Sequence, residues 1–358
     1  MPAEPTAGAA RRYAFTLLGT LCACLLGLGG FNYAVDPLQY YRVPTLYTPV
    51  WFDGYQRYQN VGLARNQRYE TVVIGTSVTE NFHASYIARS WNTPAVKLSI
   101  GGSTALEQRL ILEQALATGQ VRHVLWGLDA GSFYGGPRWV RDDQAPFPWY
   151  MYRRHAWANV EYLYSLDTLR LARNALRGNG TRDLDRLDTW DRRFVFGREA
   201  ALAAWGGDCA QFQARYRPGG VAVDPAQVDG MRSTLAQNVL ATVRAHPRVT
   251  FHLFFPPVSM LTYVPADGSY LPMVIEFLRA AVAALDGEPN VRLHQFLAVP
   301  GITDDLDRYK DAVHYDLGVS RYVIDALREQ RHRLSPATLD GDIRALVAQV
   351  NAFDGCRP

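Results

Sequence analysis

The chain has 358 residues, of which 48% are hydrophobic and 20% are charged, a composition that excludes a disordered protein and allows one large domain or two ordinary ones. Its 37 basic and 34 acidic residues leave a formal charge of +3, too balanced for a nucleic-acid-binding protein. Four cysteines are too few for a disulfide scaffold, and without a CxxC motif or a zinc-spaced Cys/His cluster we predict neither a metal nor a cofactor.

The N-terminal segment predicts a membrane anchor. Arg11 and Arg12 precede residues 13–35, which carry no charge and are long enough, at about 20 residues, to span a bilayer. Basic residues favour the cytoplasmic side, so residues 1–12 are predicted there and residues 36–358 outside the cytoplasm. The expected location is the inner (cytoplasmic) membrane, single-pass, with the domain in the periplasm. A cleaved signal peptide, or a lipoprotein signal at "LCAC", is the alternative.

Residues 36–67 form an aromatic, proline-containing segment that we interpret as a juxtamembrane linker folding onto the domain. After it, short β-branched runs predict five strands, at residues 70–75, 95–100, 122–129, 249–255 and 291–296. Helical patterns at 103–119 and 273–287 lie between strands, the first opening at a Ser103 cap. This alternation predicts an α/β domain over 68–332 with a mainly parallel sheet.

Two segments fall outside that alternation. The connection between the third and fourth strands, residues 131–245, is far longer than a strand–helix link requires and is interpreted as a mostly helical lid. Residues 333–358 are predicted to form a helical tail. Cys209 and Cys356 could pair in an oxidising compartment or stay free.

Three short motifs follow predicted strands. In "ETVVIGTSVTENF", Ser77 is either a helix cap or a nucleophile. In "YKDAVHYD", Asp311 precedes His314 by three residues, which suits either a local cap or a base with its orienting carboxylate. In "KLSIGGST", Gly101 and Gly102 could aim a backbone N–H at an oxyanion or form a tight turn.

In their order along the chain these motifs resemble the SGNH (GDSL-like) hydrolase superfamily over about residues 68–130 and 248–330. The resemblance implies a flavodoxin-like three-layer α/β/α sandwich. With its anchor the chain is similar to the envelope branch that includes alginate O-acetylation and teichoic-acid D-alanylation proteins. An acceptor glycan and an integral-membrane acyl-transporting protein are the partners this implies.

The resemblance also implies roles for individual residues. Ser77 would be the nucleophile, His314 the general base and then acid, and Asp311 its orienting carboxylate. The N–H groups of Ser77 and of Gly101 or Gly102 would form an oxyanion hole. The sequence departs from the family at Asp129, where an Asn amide is expected as a third donor, and at Thr76, which replaces the Asp of Gly-Asp-Ser.

The expected function is therefore a serine-dependent O-acyltransferase or carbohydrate esterase acting on an envelope or secreted polysaccharide, most simply through acetyl transfer or removal. Two other functions stay open. One is a non-catalytic scaffold or glycan-binding subunit of a polysaccharide modification or export complex, which the departures at Asp129 and Thr76 favour. The other is an unrelated binding module in which every motif is a cap or a turn.

Overall fold

The computed structural model describes residues 7–143, 145–153, 159–206, 223–263 and 270–355. Cys209 and Cys356, whose pairing the sequence left open, lie outside these residues. So do His155 and the last three residues of the predicted tail, 356–358.

A five-stranded parallel sheet forms the centre of the domain. Its strands, in chain order, are β1 (Thr71–Ile74), β2 (Ala95–Lys97), β3 (His123–Gly127), β4 (Thr250–Phe255) and β5 (Val291–Gln295). They are ordered β2-β1-β3-β4-β5, and every neighbouring pair is parallel. All four residues of β1 are buried, as expected for a strand covered on both faces. The five predicted strands are confirmed, each somewhat shorter than the apolar run that predicted it.

Helices connect the strands and follow the last one. Those beside the sheet are α2 (Gln56–Asn66), α3 (Ala84–Trp91), α4 (Ala105–Leu116), α11 (Tyr270–Leu285), α12 (Leu317–Arg328) and α13 (Leu339–Ala352). The start of α4 differs from the prediction by one residue. Thr104 rather than Ser103 is the N-cap, because the Thr104 side chain accepts a hydrogen bond from the N–H of Glu107.

The long connection between β3 and β4 has two parts, an irregular first part with short helices and a second part, residues 225–245, that packs beside the sheet as a crossover helix does. Among its described residues the helices are α5 (Trp149–Tyr152), α6 (Val160–Tyr164), α7 (Leu166–Leu176), α8 (Arg198–Trp205), α9 (Pro225–Leu235) and α10 (Ala241–Ala245), the last two joined by a π-helical turn, Ala236–Leu240. The α9 helix packs against α11, and the π-turn against α4. Residues 225–245 therefore lie beside the sheet, and the name lid denotes the described residues between 131 and 224.

The apolar N-terminal segment forms one helix, α1 (Ala7–Val35), which is long and apolar enough to cross a membrane. Most of it is exposed, but its last two turns pack against α6 and α7. The segment that follows, residues 36–67, is folded against the domain. Residues 59–64 of α2 are buried, and this helix contacts α4.

Candidate active site

The first residue of the site lies where β1 ends. Ser77 opens a 3-10 turn, Ser77–Thr79, whose N-cap position is Thr76. The Ser77 hydroxyl does not serve this turn as a cap. Its oxygen lies 2.8 Å from Nε2 of His314, a residue 237 positions away in the sequence.

The base and its carboxylate come from the loop between β5 and α12. His314 Nδ1 lies 2.7 Å from Asp311 Oδ2, and the other oxygen of this carboxylate accepts hydrogen bonds from the N–H groups of Val313 and His314. Asp311 thus makes both of the interactions that the sequence offered as alternatives, a local turn and a contact with the imidazole. The result is a continuous chain of hydrogen bonds from Ser77 through His314 to Asp311.

A lysine beside this chain stabilises the ionised carboxylate. Lys310 Nζ lies 2.6 Å from Asp311 Oδ2. Burial by itself would raise the pKa of Asp311, but the hydrogen bonds from His314 and Lys310 outweigh it and hold that pKa well below its usual value. Asp311 therefore stays ionised at any pH at which the protein is expected to work.

Aromatic side chains of the lid pack beside His314 and Lys310. The Trp190 ring lies 4.6 Å from the His314 ring between centroids, and its Nε1–H donates to the carbonyl oxygen of Ser77 at 3.0 Å. Lys310 Nζ lies 4.2 Å from the Trp190 ring centroid and 4.5 Å from that of Phe194. The Trp190 ring therefore restricts the motion of the imidazole, and Lys310 holds the Trp190 ring in place through a cation–π contact.

Asn81 attaches that part of the lid to the sheet edge. Its side-chain oxygen accepts a hydrogen bond from the N–H of Trp190 at 2.7 Å, and its amide donates to the carbonyl of Tyr315 at 3.1 Å. Asn81 is buried, so both of its polar atoms need these partners. One side chain from the β1 loop thereby joins the lid to the residue that follows His314.

The two glycines after β2 play different parts. The N–H of Gly101 donates to the side-chain oxygen of Gln56 at 2.6 Å, so it is already occupied. Gly102 has φ +62°, the left-handed region that favours glycine. Within the described residues, the N–H groups of Gly102 and Ser77 have no hydrogen-bond acceptor. Of the two glycines, Gly102 is the one able to offer a donor to an oxyanion.

Asp129, the residue that departs from the family pattern, is engaged as an acceptor. One carboxylate oxygen accepts a hydrogen bond from the Thr76 hydroxyl at 3.0 Å and the other from the N–H of Gly131 at 3.1 Å. It is the N-cap of a 3-10 turn, Ala130–Phe133. Thr76 and Asp129 are therefore bonded to each other, and the contacts of Asp129 are those of a structural residue.

Ser77 and His314 open into a cleft of about 380 Å³. The cleft is also lined by side chains that no sequence pattern indicated as part of a site, and these include Gln56, Glu80, Arg141, Asp188, Trp190 and Arg193. Their positions depend on the folding of the 36–67 segment and of the lid, for which the sequence carries no local motif. Lys310 could have been noticed, because it directly precedes Asp311.

Charges along the cleft are partly neutralised by one another. Arg193 pairs with Asp53 at 2.5 Å, and Arg141 with Asp143 at 3.1 Å. Burial raises the pKa of Glu80, although the hydrogen bond that Glu80 accepts from Gln56 acts in the opposite direction. Burial lowers the pKa of Lys97, whose ammonium group donates to the backbone carbonyl of Glu80.

Within the described residues, no group of three or more His, Cys, Asp and Glu side chains could hold a metal ion.

Comparison with known proteins adds no assignment. No protein-family model matches this chain, and no curated protein sequence matches it. The geometry of the cleft and the short motifs that form it are therefore the basis on which a function can be assigned.

Proposed function

We propose that this protein is a membrane-anchored, SGNH-like serine acyltransferase or esterase that acts on an envelope or secreted polysaccharide. The observation that carries the proposal is the hydrogen-bonded series of Ser77, His314 and Asp311 in an open cleft, with 2.8 Å between Ser77 Oγ and His314 Nε2. Helix caps and turns have no need of an imidazole on a serine hydroxyl, whereas nucleophilic catalysis requires one.

The proposed chemistry has two halves. Ser77 Oγ attacks the acyl carbonyl while its proton passes to His314 Nε2, and the same nitrogen then protonates the departing alcohol as the acyl–oxygen bond breaks. A sugar hydroxyl or water next gives its proton to Nε2 and attacks the acyl-serine, and Oγ regains a proton as it leaves. Asp311 keeps the Nδ1–H of His314 oriented throughout.

Negative charge develops on the carbonyl oxygen in both halves. The Ser77 and Gly102 N–H groups are the proposed donors to it, because neither has another acceptor among the described residues. A third, side-chain donor at position 129 is not part of this proposal, since Asp129 accepts hydrogen bonds there.

The proposal extends to the fold and the location. The strand order 2-1-3-4-5 is that of flavodoxin-like sheets. Helix α9 contacts α11, and α3 contacts α12, which is the pattern expected if the helices form one layer on each face of the sheet. Arg11 and Arg12 before α1 favour a cytoplasmic N-terminus and a domain outside the cytoplasm. A transmembrane acyl-delivering partner would then supply the donor.

The second candidate is a non-catalytic scaffold or glycan-binding subunit in a polysaccharide modification or export complex. It is favoured by Asp129, which stands where an active site of this type would place an amide donor. This candidate predicts glycan binding in the cleft without turnover.

Replacement of the serine separates the two candidates. We expect Ser77→Ala to lower hydrolysis of p-nitrophenyl acetate at least about 10³-fold, since nucleophile and base act as a unit, and His314→Ala to cost about as much. Stability should change by less than about 1 kcal/mol, because the Ser77 hydroxyl caps nothing.

The matched control is Ser85→Ala, an exposed serine in the next helix. It should leave turnover unchanged. Addition of a glycan acceptor then distinguishes transfer from hydrolysis, because a transferase moves acetyl from water to sugar, which mass spectrometry detects. Wild-type protein without either activity, together with normal glycan modification in cells carrying Ser77→Ala, would instead establish the scaffold.

A further inference from the structure

The end of α1 is attached rigidly to the turn between α6 and α7. The Asn32 side-chain amide donates to the carbonyl oxygen of Leu163 at 2.7 Å, and Gly29 packs directly against the Tyr164 ring. A Cβ at Gly29 would lie 3.0 Å from that ring, so the glycine permits the close approach. The turn therefore has a fixed position along the axis of α1.

That position can be compared with the thickness of a bilayer. Arg11 and Arg12 must lie outside the hydrocarbon, so a span begins at about residue 13. At about 1.5 Å per residue, a hydrocarbon core of about 30 Å is crossed in about 20 residues and ends near residue 32. Asn32 is the residue that holds the α6–α7 turn, which is thereby level with the membrane boundary.

The side chains around that turn are apolar and exposed. Leu166 is 75% exposed, Leu46 67%, and Val160, Val43 and Tyr164 are each about two-fifths exposed. The loop at residues 43–46 lies at the same end of α1 as the turn, because its flanking residues Arg42 and Tyr47 donate hydrogen bonds to the carbonyl oxygens of Tyr33 and Asp36. Exposed apolar side chains beside an anchor helix mark an interaction surface. Tyr33, at the end of α1, adds an aromatic ring of the kind that favours the interface between lipid and water.

Charged groups at the edge of this surface suit lipid headgroups. The Arg42 guanidinium lies 4.5 Å from the Tyr33 ring centroid and donates to the Tyr33 carbonyl oxygen. Asp167, next to Leu166, pairs with Arg170 at 3.1 Å. Such long or paired charged side chains can stay in the headgroup layer while their apolar neighbours enter the lipid.

We propose that the α6–α7 turn, residues 163–166, and the loop at residues 43–46 lie in the interfacial layer of the bilayer that α1 crosses, so that the domain rests directly on the lipid. The occupant of this exposed apolar surface is thus the membrane itself. The consequence is a cleft held at a constant height and orientation above the bilayer. This inference rests on α1 crossing a membrane and is independent of the chemistry proposed at Ser77.

The test uses full-length protein in nanodiscs that hold one copy each, made of phosphatidylcholine and phosphatidylglycerol. All four cysteines are replaced by Ser, and an environment-sensitive fluorophore is attached through Leu166→Cys, Leu46→Cys or Val195→Cys. Val195 is the matched control, because it is 79% exposed but belongs to the lid segment beside Lys310. The quencher is a phospholipid with a spin label near the headgroup end of its acyl chain.

Fluorescence from positions 166 and 46 should fall at least about twofold when the quencher lipid is present, while position 195 should change little. Equal quenching at all three positions, or none at 166 and 46, would overturn the proposal. Absence of quenching in one-copy discs, together with emission at 166 and 46 that shifts only in discs holding two copies, would instead assign the surface to self-association. Unfolding midpoints of the labelled variants that match the parent show that the label has not disturbed the fold, and Leu46 provides a second site should the Leu166 variant fail this control.

Discussion

A group of three neighbouring histidines in the sheet, two of them buried, offers a prediction about stability that does not depend on the proposed function. His123, His252 and His294 lie on the adjacent strands β3, β4 and β5, with ring centroids 5.8 and 6.3 Å apart. His252 is 4% exposed, and neither of its ring nitrogens has a hydrogen-bond partner. The pKa of His252 is lowered from 6.5 to about 3. Burial is the largest cause, and repulsion from the neighbouring His294 is the next.

The sign of the effect follows from linkage. A folded-state pKa below the unfolded value means that unfolded chains bind the extra proton first, so stability is fully present above about pH 6.5 and falls as the pH drops toward 3. Each pH unit within that window is worth about 1.4 kcal/mol per proton. Between pH 6.5 and pH 5, His252 should therefore cost the folded state about 2 kcal/mol.

The perturbation is His252→Leu, and the measured quantity is its free energy of unfolding relative to the parent at pH 7.5 and pH 5.0. Other groups titrate in this range, including Glu80, whose raised pKa acts in the opposite direction, so the variant-minus-parent difference isolates His252. Urea unfolding of the full-length protein in detergent, followed by tryptophan fluorescence, provides both values. We expect the difference to shift in favour of the variant by about 2 kcal/mol from pH 7.5 to pH 5.0.

Phe254→Leu is the matched control, since Phe254 is a fully buried neighbour on the same strand that does not titrate. Its cost should be the same at both pH values. A His252→Leu difference that does not change with pH would refute the reasoning, because it would mean that His252 has the same proton affinity in the folded and unfolded protein.

Two further predictions concern the cleft. Trp190→Ala should lower kcat about 10- to 100-fold, because His314 loses the ring that restricts it. Trp190→Phe should retain most of the activity. Equal kcat in wild type and both variants would show that Trp190 has no role at the site. Gly102→Ala should cost about 1 kcal/mol of stability through its φ of +62° and, by displacing a proposed oxyanion donor, about 10²-fold or more in kcat, measured with an activated ester. Gly119→Ala is the control for the backbone part of that cost, because it has φ +73° with open space around it, whereas a Cβ at Gly102 would also lie 2.7 Å from Arg141 Nη1. It should lose stability through its φ but leave kcat unchanged.

Local sequence patterns were sufficient for the elements of the sheet and for the apolar helix. Strands such as β1 consist of β-branched residues buried on both faces, and α1 consists of an uncharged run longer than a bilayer requires. Both signals act between near neighbours in the chain, so they are readable without knowledge of the fold. Parallel pairing then implies that strand ends meet at one edge, which is why Ser77 and His314 could be named together.

What only the tertiary structure decided are the contacts between distant segments. Trp190 reaches the Ser77 carbonyl across 113 positions, and Gln56 takes the Gly101 N–H across 45. Neither residue belongs to a motif, since each acts through the place to which its segment folds. The sequence by itself determined which residue types could form a catalytic series, because that chemistry needs a hydroxyl, an imidazole and a carboxylate. The structure decided that Ser77 contacts His314 rather than its own turn, and that Gly102 rather than Gly101 keeps its N–H available, because hydrogen-bond partners are assigned by three-dimensional proximity.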